Sequence, residues 1–171
     1  MNEIARRLSG DPLSRSINAM PRLSNYTRSN RITKTEVTAT EETRSITKQL
    51  LATSDTDERQ SLSSALIYYL NLVADLPEAK VKISATRQYH AKRAGRIVFK
   101  RYGYYKQGTR YIYIQNFTPA RGQALAPKTF LDTLLHEWLH HYDTFKLKLH
   151  SIHTAGFYSR LRDLKERLDI T

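Results

Sequence analysis

Cysteine is absent from the 171 residues. That excludes a disulfide scaffold, a zinc ribbon, an iron–sulfur site and a thiol nucleophile, and it fits a reducing compartment. Long hydrophobic runs are missing too. No stretch approaches the roughly 18 consecutive apolar residues of a membrane-spanning helix, so no membrane partner is expected. Met1 to Gly10 lacks the apolar core of a secretory signal peptide, and a cytoplasmic location follows, or a nuclear one in a eukaryote. The same segment carries Arg and Ser and few acids, which leaves a mitochondrial transit peptide as the alternative.

The third absence is local. No Asp or Glu occurs between Glu78 and Asp132, an interval of 53 residues holding twelve Lys and Arg. The rest of the chain is balanced, so the whole net charge of +12 lies in this block. Arg87, Lys92, Arg93, Arg96, Lys100, Arg101, Lys106 and Arg110 are its candidate phosphate contacts. Tyr89, Phe99, Tyr102, Tyr104, Tyr105, Tyr111, Tyr113 and Phe117 are interleaved with them, and aromatic faces stack on unpaired bases. The combination points to a surface for nucleic acid or another polyanion. A twisted sheet with Tyr packed inward and Lys and Arg solvated would give similar letters, but ordinary surfaces mix the two signs.

What is present suffices for one domain. Hydrophobic residues make up 40% of the chain and aromatics 10%, enough to bury a core. A monomer is expected. Residues 1–40 are rich in Ser, Thr, Asn and Arg, are interrupted by Pro12 and Pro21, and read as a flexible basic arm before a domain over 41–171. A short helix is predicted from Thr43 to Ala52. A longer one runs from an Asp55/Glu58 capping pair to about Asp75, burying Leu62, Ala65, Leu66, Tyr69, Leu70 and Val73. Val81–Ser84, Arg96–Arg101 and Arg110–Gln115 are β-rich, with Tyr and Ile alternating along Tyr111–Ile114. Helices are predicted again from Lys128 to Leu147 and from about Ala155, where Phe157, Leu161, Leu164 and Leu168 share a face. Helices, then strands, then helices reads as α+β.

The chemistry lies in the first of those last two helices, where His136-Glu137-Trp138-Leu139-His140 is an HExxH motif. On a helix, positions i and i+4 share a face, so both imidazoles reach one Zn²⁺ and Glu137 lies beside them, able to hold a metal-bound water. A catalytic zinc takes a third protein ligand. Asp143 lies on the correct face, either to ligate or to orient a histidine, while His150 and His153 follow in a loop. His153 stands at a helix entrance, where the backbone is fixed, and is the preferred ligand. His141 is turned about 100° away. It and Tyr158 are the candidate oxyanion donors. Tyr111 and Tyr113 lie on a strand shortly before the motif helix and are candidate substrate contacts, by pairing of that strand with an extended peptide.

His136-Glu137-xx-His140, followed by His153-xx-Gly156-Phe157, resembles the SprT-like metallopeptidases, which include bacterial SprT proteins and the eukaryotic protease Spartan. The similarity covers about Thr129 to Leu164. The downstream segment reads HTAGFY, with its glycine displaced from the family's pattern, and the family's Cys-based zinc ribbon is missing. The resemblance implies a small zincin-like domain with helices flanking a short, mainly antiparallel sheet. It implies one catalytic Zn²⁺ on His136, His140 and His153, Glu137 as general base, and endopeptidase action on DNA-associated proteins. The competing readings are a nucleic-acid-binding protein with a structural or vestigial zinc, and a peptidase with a narrow regulatory target.

Overall fold

The computed structural model describes residues 23–170 apart from 88, 94–95 and 119–121; over 87–101 it describes backbone strands and not side chains. Each α-helix of the described residues, except the one over Pro127–Phe145, begins at a side chain that accepts from an N–H of its first turn. Helix α1 (Asn25–Arg31) starts at Ser24, whose hydroxyl accepts from the Thr27 N–H. Helix α2 (Glu41–Ala52) opens on a reciprocal box between Thr40 and Thr43, with Glu41 and Glu42 complementing its dipole. Helix α3 (Thr56–Ala74) opens on Asp55, which accepts from the Glu58 N–H at 2.9 Å. Glu58 does not close the expected box; its carboxylate accepts from the Thr53 hydroxyl instead. Helix α4 (Pro127–Phe145) has proline at its first position, where a missing N–H costs nothing. Helix α5 (Ala155–Arg167) is capped by Thr154.

Strands β1 (Lys80–Arg87), β4 (Gly103–Lys106) and β5 (Tyr111–Phe117) form one sheet in the order β1-β5-β4. The β1/β5 pair is parallel, with Val81 beside Ile112 and Ile83 beside Ile114; β4/β5 is antiparallel. Strands β2 (Tyr89–Arg93) and β3 (Arg96–Arg101) make a separate antiparallel ribbon. The class is α+β, as expected; among the described residues the three-stranded sheet is mixed, with β1/β5 parallel and β4/β5 antiparallel, and the ribbon is antiparallel.

Ile83, Ile112 and Ile114 point to one side of the sheet and are buried with Leu131, Leu134, Leu135, Trp138 and Leu139 of α4. Leu66, Ile67, Leu70 and Ala74 of α3 complete that core. The buried face of α3 is rotated from the predicted one. Leu62, Ala65, Tyr69 and Val73 are only half-buried, while Arg59, Ser63 and Asn71 go inside. Polar partners accompany two of them: Arg59 donates to the carbonyls of Thr53 and Leu125, and Asn71 accepts from the Trp138 indole N–H at 2.8 Å.

The expected arm needs correction. Residues 1–22 lie outside the described residues, but the segment from Leu23 to Thr40 belongs to the domain. It contains α1, the buried Ser29 and Thr35, and Val37 in the core. Its low hydrophobicity hides this, because its anchors are hydrogen bonds. Thr35 N–H and Oγ1–H both donate to Asp163, at 2.7 and 2.8 Å.

Candidate metal centre

Helix α4 carries His136 and His140 one turn apart, and the start of α5 brings His153 against them. His153 Nε2 lies 2.9 Å from His136 Nε2 and 3.0 Å from His140 Nε2. All three donor atoms fall within 4.8 Å of one another. Phe157, fully buried, is the floor beneath them, its ring centroid 5.0, 4.8 and 5.2 Å from those of His136, His140 and His153. Burial and the neighbouring rings push the His136 imidazole down to about 4 and His140 to about 3, so both are neutral near pH 7 and keep a lone pair.

A relay fixes which nitrogen of His140 is bare. The Ser151 hydroxyl donates to Asp143 Oδ2 at 3.2 Å, so it accepts from His140 Nδ1–H at 2.8 Å. The His140 Nε2 lone pair then faces the cluster. His153 Nε2 can share a proton with only one of its two neighbours, so three converging imidazoles fit a shared cation better than hydrogen bonds alone. A tetrahedral zinc with Zn–N near 2.0–2.1 Å places its nitrogens roughly 3.3 Å apart, close to the two spacings from His153. Three imidazoles, two on α4 and the third beside the Thr154 cap of α5, are a donor set that suits zinc.

Asp143 lies outside the three-histidine cluster and reaches His140 only through Ser151. It is fully buried and doubly bonded to Arg160, at 2.9 Å to Nε and 2.6 Å to Nη2. His150 lies outside the cluster; its backbone pairs both ways with the Asn25 side chain, at 2.7 and 2.8 Å. His153 owes its place to α1. The buried hydroxyls of Ser29 and Thr154 bond at 2.8 Å, Asn30 accepts from the Gly156 N–H at 3.0 Å, and Arg160 donates to the Ser29 carbonyl. A Cβ on Gly156 would sit 2.0 Å from the Ser29 carbonyl oxygen, so only glycine allows α5 to start this close to α1.

Ser151→Ala should leave the fold unchanged and weaken zinc affinity by about 10–100-fold, as loss of a ligand's hydrogen-bond partner does elsewhere. His153→Ala should lower bound zinc well below one per chain. Competitive chelation followed by metal analysis separates the two; unchanged zinc in His153→Ala would remove it from the ligand set.

Two depressions, of about 360 and 540 Å³, flank the cluster and share Gly103, His136, Glu137 and His153 in their walls. Glu137 therefore opens onto both. Their far wall is β4, the edge strand of the sheet. This corrects the reading of Tyr111 and Tyr113 as substrate contacts through strand pairing. Both edges of β5 are taken, by β1 and β4, so β5 has no free edge for a peptide. Its tyrosines are half-buried on the outer face of the sheet, opposite the isoleucines. Nor does His141 stand ready as an oxyanion donor: it is fully buried, with Nδ1 2.8 Å from the Tyr105 hydroxyl and Nε2 2.9 Å from the Pro77 carbonyl. Tyr158 is exposed beside the cluster, its ring stacked 6.1 Å from that of His153.

Of the basic residues singled out above, Arg87, Lys92, Arg93, Arg96, Lys100 and Arg101 have side chains outside the described residues. Lys106 and Arg110 are described and exposed, the former with its ammonium 5.3 Å from the centre of the Tyr104 ring. The sequence reading missed Ser151, Ser29 and Asn25; an isolated Ser or Asn carries no signal until its partner more than a hundred residues away, or across a loop, is known. Among the described residues no helix is long and apolar enough to cross a membrane. No protein-family model, no curated protein and no solved structure matches the chain.

Proposed function

We propose that the chain is a zinc-dependent endopeptidase of the SprT-like kind, acting on proteins held on DNA. The observation that carries this reading is the placement of Glu137 on the wall of both depressions, beside three converging imidazoles. A purely structural zinc has no use for a carboxylate there, and it closes its fourth position with protein. The two side chains best placed by sequence to close it are otherwise engaged or apart: Asp143 is held by Arg160, and His150 is not in the cluster.

When bound, zinc would supply Lewis acidity, polarising a carbonyl and lowering the pKa of coordinated water to about 7. His136, His140 and His153 would hold it. Glu137 accepts the proton of the attacking water and returns it to the leaving amine. Strand β4, an edge strand among the described residues, lines the cleft along which an extended substrate would run, and Tyr158 presents a hydroxyl to the developing oxyanion. The acid-free block supplies the affinity for DNA.

The test is proteolysis of a DNA-binding protein by the purified chain, with and without single-stranded DNA, before and after chelation. Cleavage should need DNA, stop on chelation and return with zinc. Cleavage that persists through chelation, or zinc binding with no cleavage of DNA-bound proteins, would overturn the reading.

A further inference from the structure

A second concavity lies apart from the metal centre. It is a groove of about 760 Å³ between α3 and β1, and it shares no wall residue with the depressions beside the histidines. Its aromatic lining is Tyr68, 61% exposed, and Tyr111; Leu72, 63% exposed, adds an apolar wall, and Lys80 and Lys82 stand on its strand side. Glu78 is the single acid among its lining residues.

The groove continues into a row of rings on the outer face of the sheet. Tyr111 stacks on Tyr113 at 6.4 Å and Tyr113 on Tyr104 at 5.1 Å, with interplanar angles of 28° and 17°. The register places Lys80 beside Tyr111 on one side and Lys106 on the other, and Lys82 beside Tyr113. Tyr104 also lines the depression that holds His136, Glu137 and His140. The aromatic row therefore runs from the groove to the wall of the metal centre, with lysines along both sides.

An added peptide strand is a poor occupant. On the outer edge of β1, the Gln60 amide accepts from the Ile83 N–H at 2.8 Å and donates to the Val81 carbonyl at 3.0 Å, filling the bonds a new strand would use. Flat apolar rings flanked by ammonium groups instead match unpaired bases on a phosphate backbone. A duplex hides its base faces and would use only the charges.

We propose that the α3/β1 groove and the Tyr111–Tyr113–Tyr104 face seat a single-stranded nucleic acid, with bases against the rings and phosphates against Lys80, Lys82 and Lys106. This rests on the nucleic-acid part of the function proposed above and not on peptide hydrolysis. It gives that reading a geometry, since a strand so seated leads to the wall of the metal cleft.

The test is fluorescence anisotropy with the full chain carrying Glu137→Gln, against labelled oligo-dT, oligo-rU, a duplex of equal length and poly-glutamate. Tight binding to either single strand, weaker binding to the duplex and none to poly-glutamate is the expected result. Tyr111→Ala and Tyr68→Ala should each weaken single-strand binding about tenfold, and Tyr111→Phe should not, because it keeps the ring. Lys80→Ala with Lys82→Ala should reduce the salt slope of log K by about 1.4. Tyr68→Ala, at an exposed position, should unfold at the wild-type temperature, which separates lost contact from lost fold. Binding untouched by both tyrosine-to-alanine changes, a preference for duplex or for poly-glutamate, or no binding at low salt would overturn the proposal. A chain that binds strands as expected but never cleaves protein would overturn the peptidase reading and leave this one standing.

Discussion

Glu137→Gln should retain zinc and thermal stability and lose proteolysis by about 10²–10⁴-fold, the usual contribution of a positioned general base. The substitution keeps the shape of the side chain, replaces one acceptor oxygen by an amide donor, and removes the charge and the capacity to take a proton. Glu137 is 9% exposed and sits on α4 between the two helical imidazoles, so its position is set by the same backbone that sets theirs. Because it is not one of the three converging donors, metal content should not follow activity. The check is kcat/KM on a cleavable protein, with zinc quantified in the same preparation. Wild-type turnover in the variant would remove Glu137 from the mechanism; loss of zinc together with turnover would make it a structural contributor.

Asp143→Ala should produce the largest loss of stability. The carboxylate and the Arg160 guanidinium are both fully buried and meet through two hydrogen bonds. Removing the carboxylate leaves a buried cation without its counter-charge, a change that costs about 3–5 kcal/mol in comparable sites. For a chain of this size that is a fall in Tm of about 6–20 °C. Zinc affinity should fall as well, since Ser151 loses its acceptor and no longer fixes the His140 tautomer. Ser151→Ala breaks the same relay without touching the ion pair, so the two variants differ in stability and agree in direction on metal. Equal melting temperatures for Asp143→Ala and the wild type would show that the pair is not what holds α5 to α4.

The two kinds of residue behind these predictions were unequally visible in the sequence. His136, Glu137 and His140 were legible because their relation is local: a helix of 3.6 residues per turn puts i and i+4 on one face whatever surrounds it. His153 was legible at one remove, through the Thr154 cap that fixes its backbone. Asp143 could be placed on the right face but not assigned a role. Whether it ligates or orients depends on Arg160, 17 residues on, and on Ser151 in the intervening loop. Strand β5 was found from its alternation, yet alternation says which residues face the core and nothing about which strands lie on either side. Only the sheet order shows that β5 is central and β4 is the edge beside the histidines.

The segment from Leu23 to Thr40 marks the limit most clearly. Its composition reads as a flexible arm, because burial by hydrogen bonding leaves no hydrophobic periodicity. Ser29, Asn30 and Thr35 anchor it through bonds to Thr154, Gly156 and Asp163 in or beside α5. By itself, then, the sequence determined the α+β class, the helix that carries HExxH, the pairing of His136 with His140 and the concentration of positive charge in one block. Those depend on interactions a few residues apart, or on composition. The tertiary structure decided the closure of the three-histidine cluster, the role of Asp143, the edge strand facing the cleft and the groove lined by Tyr68 and Tyr111. Each of these is set by which distant segments pack together, and that follows from the balance of the whole core rather than from any one stretch of chain.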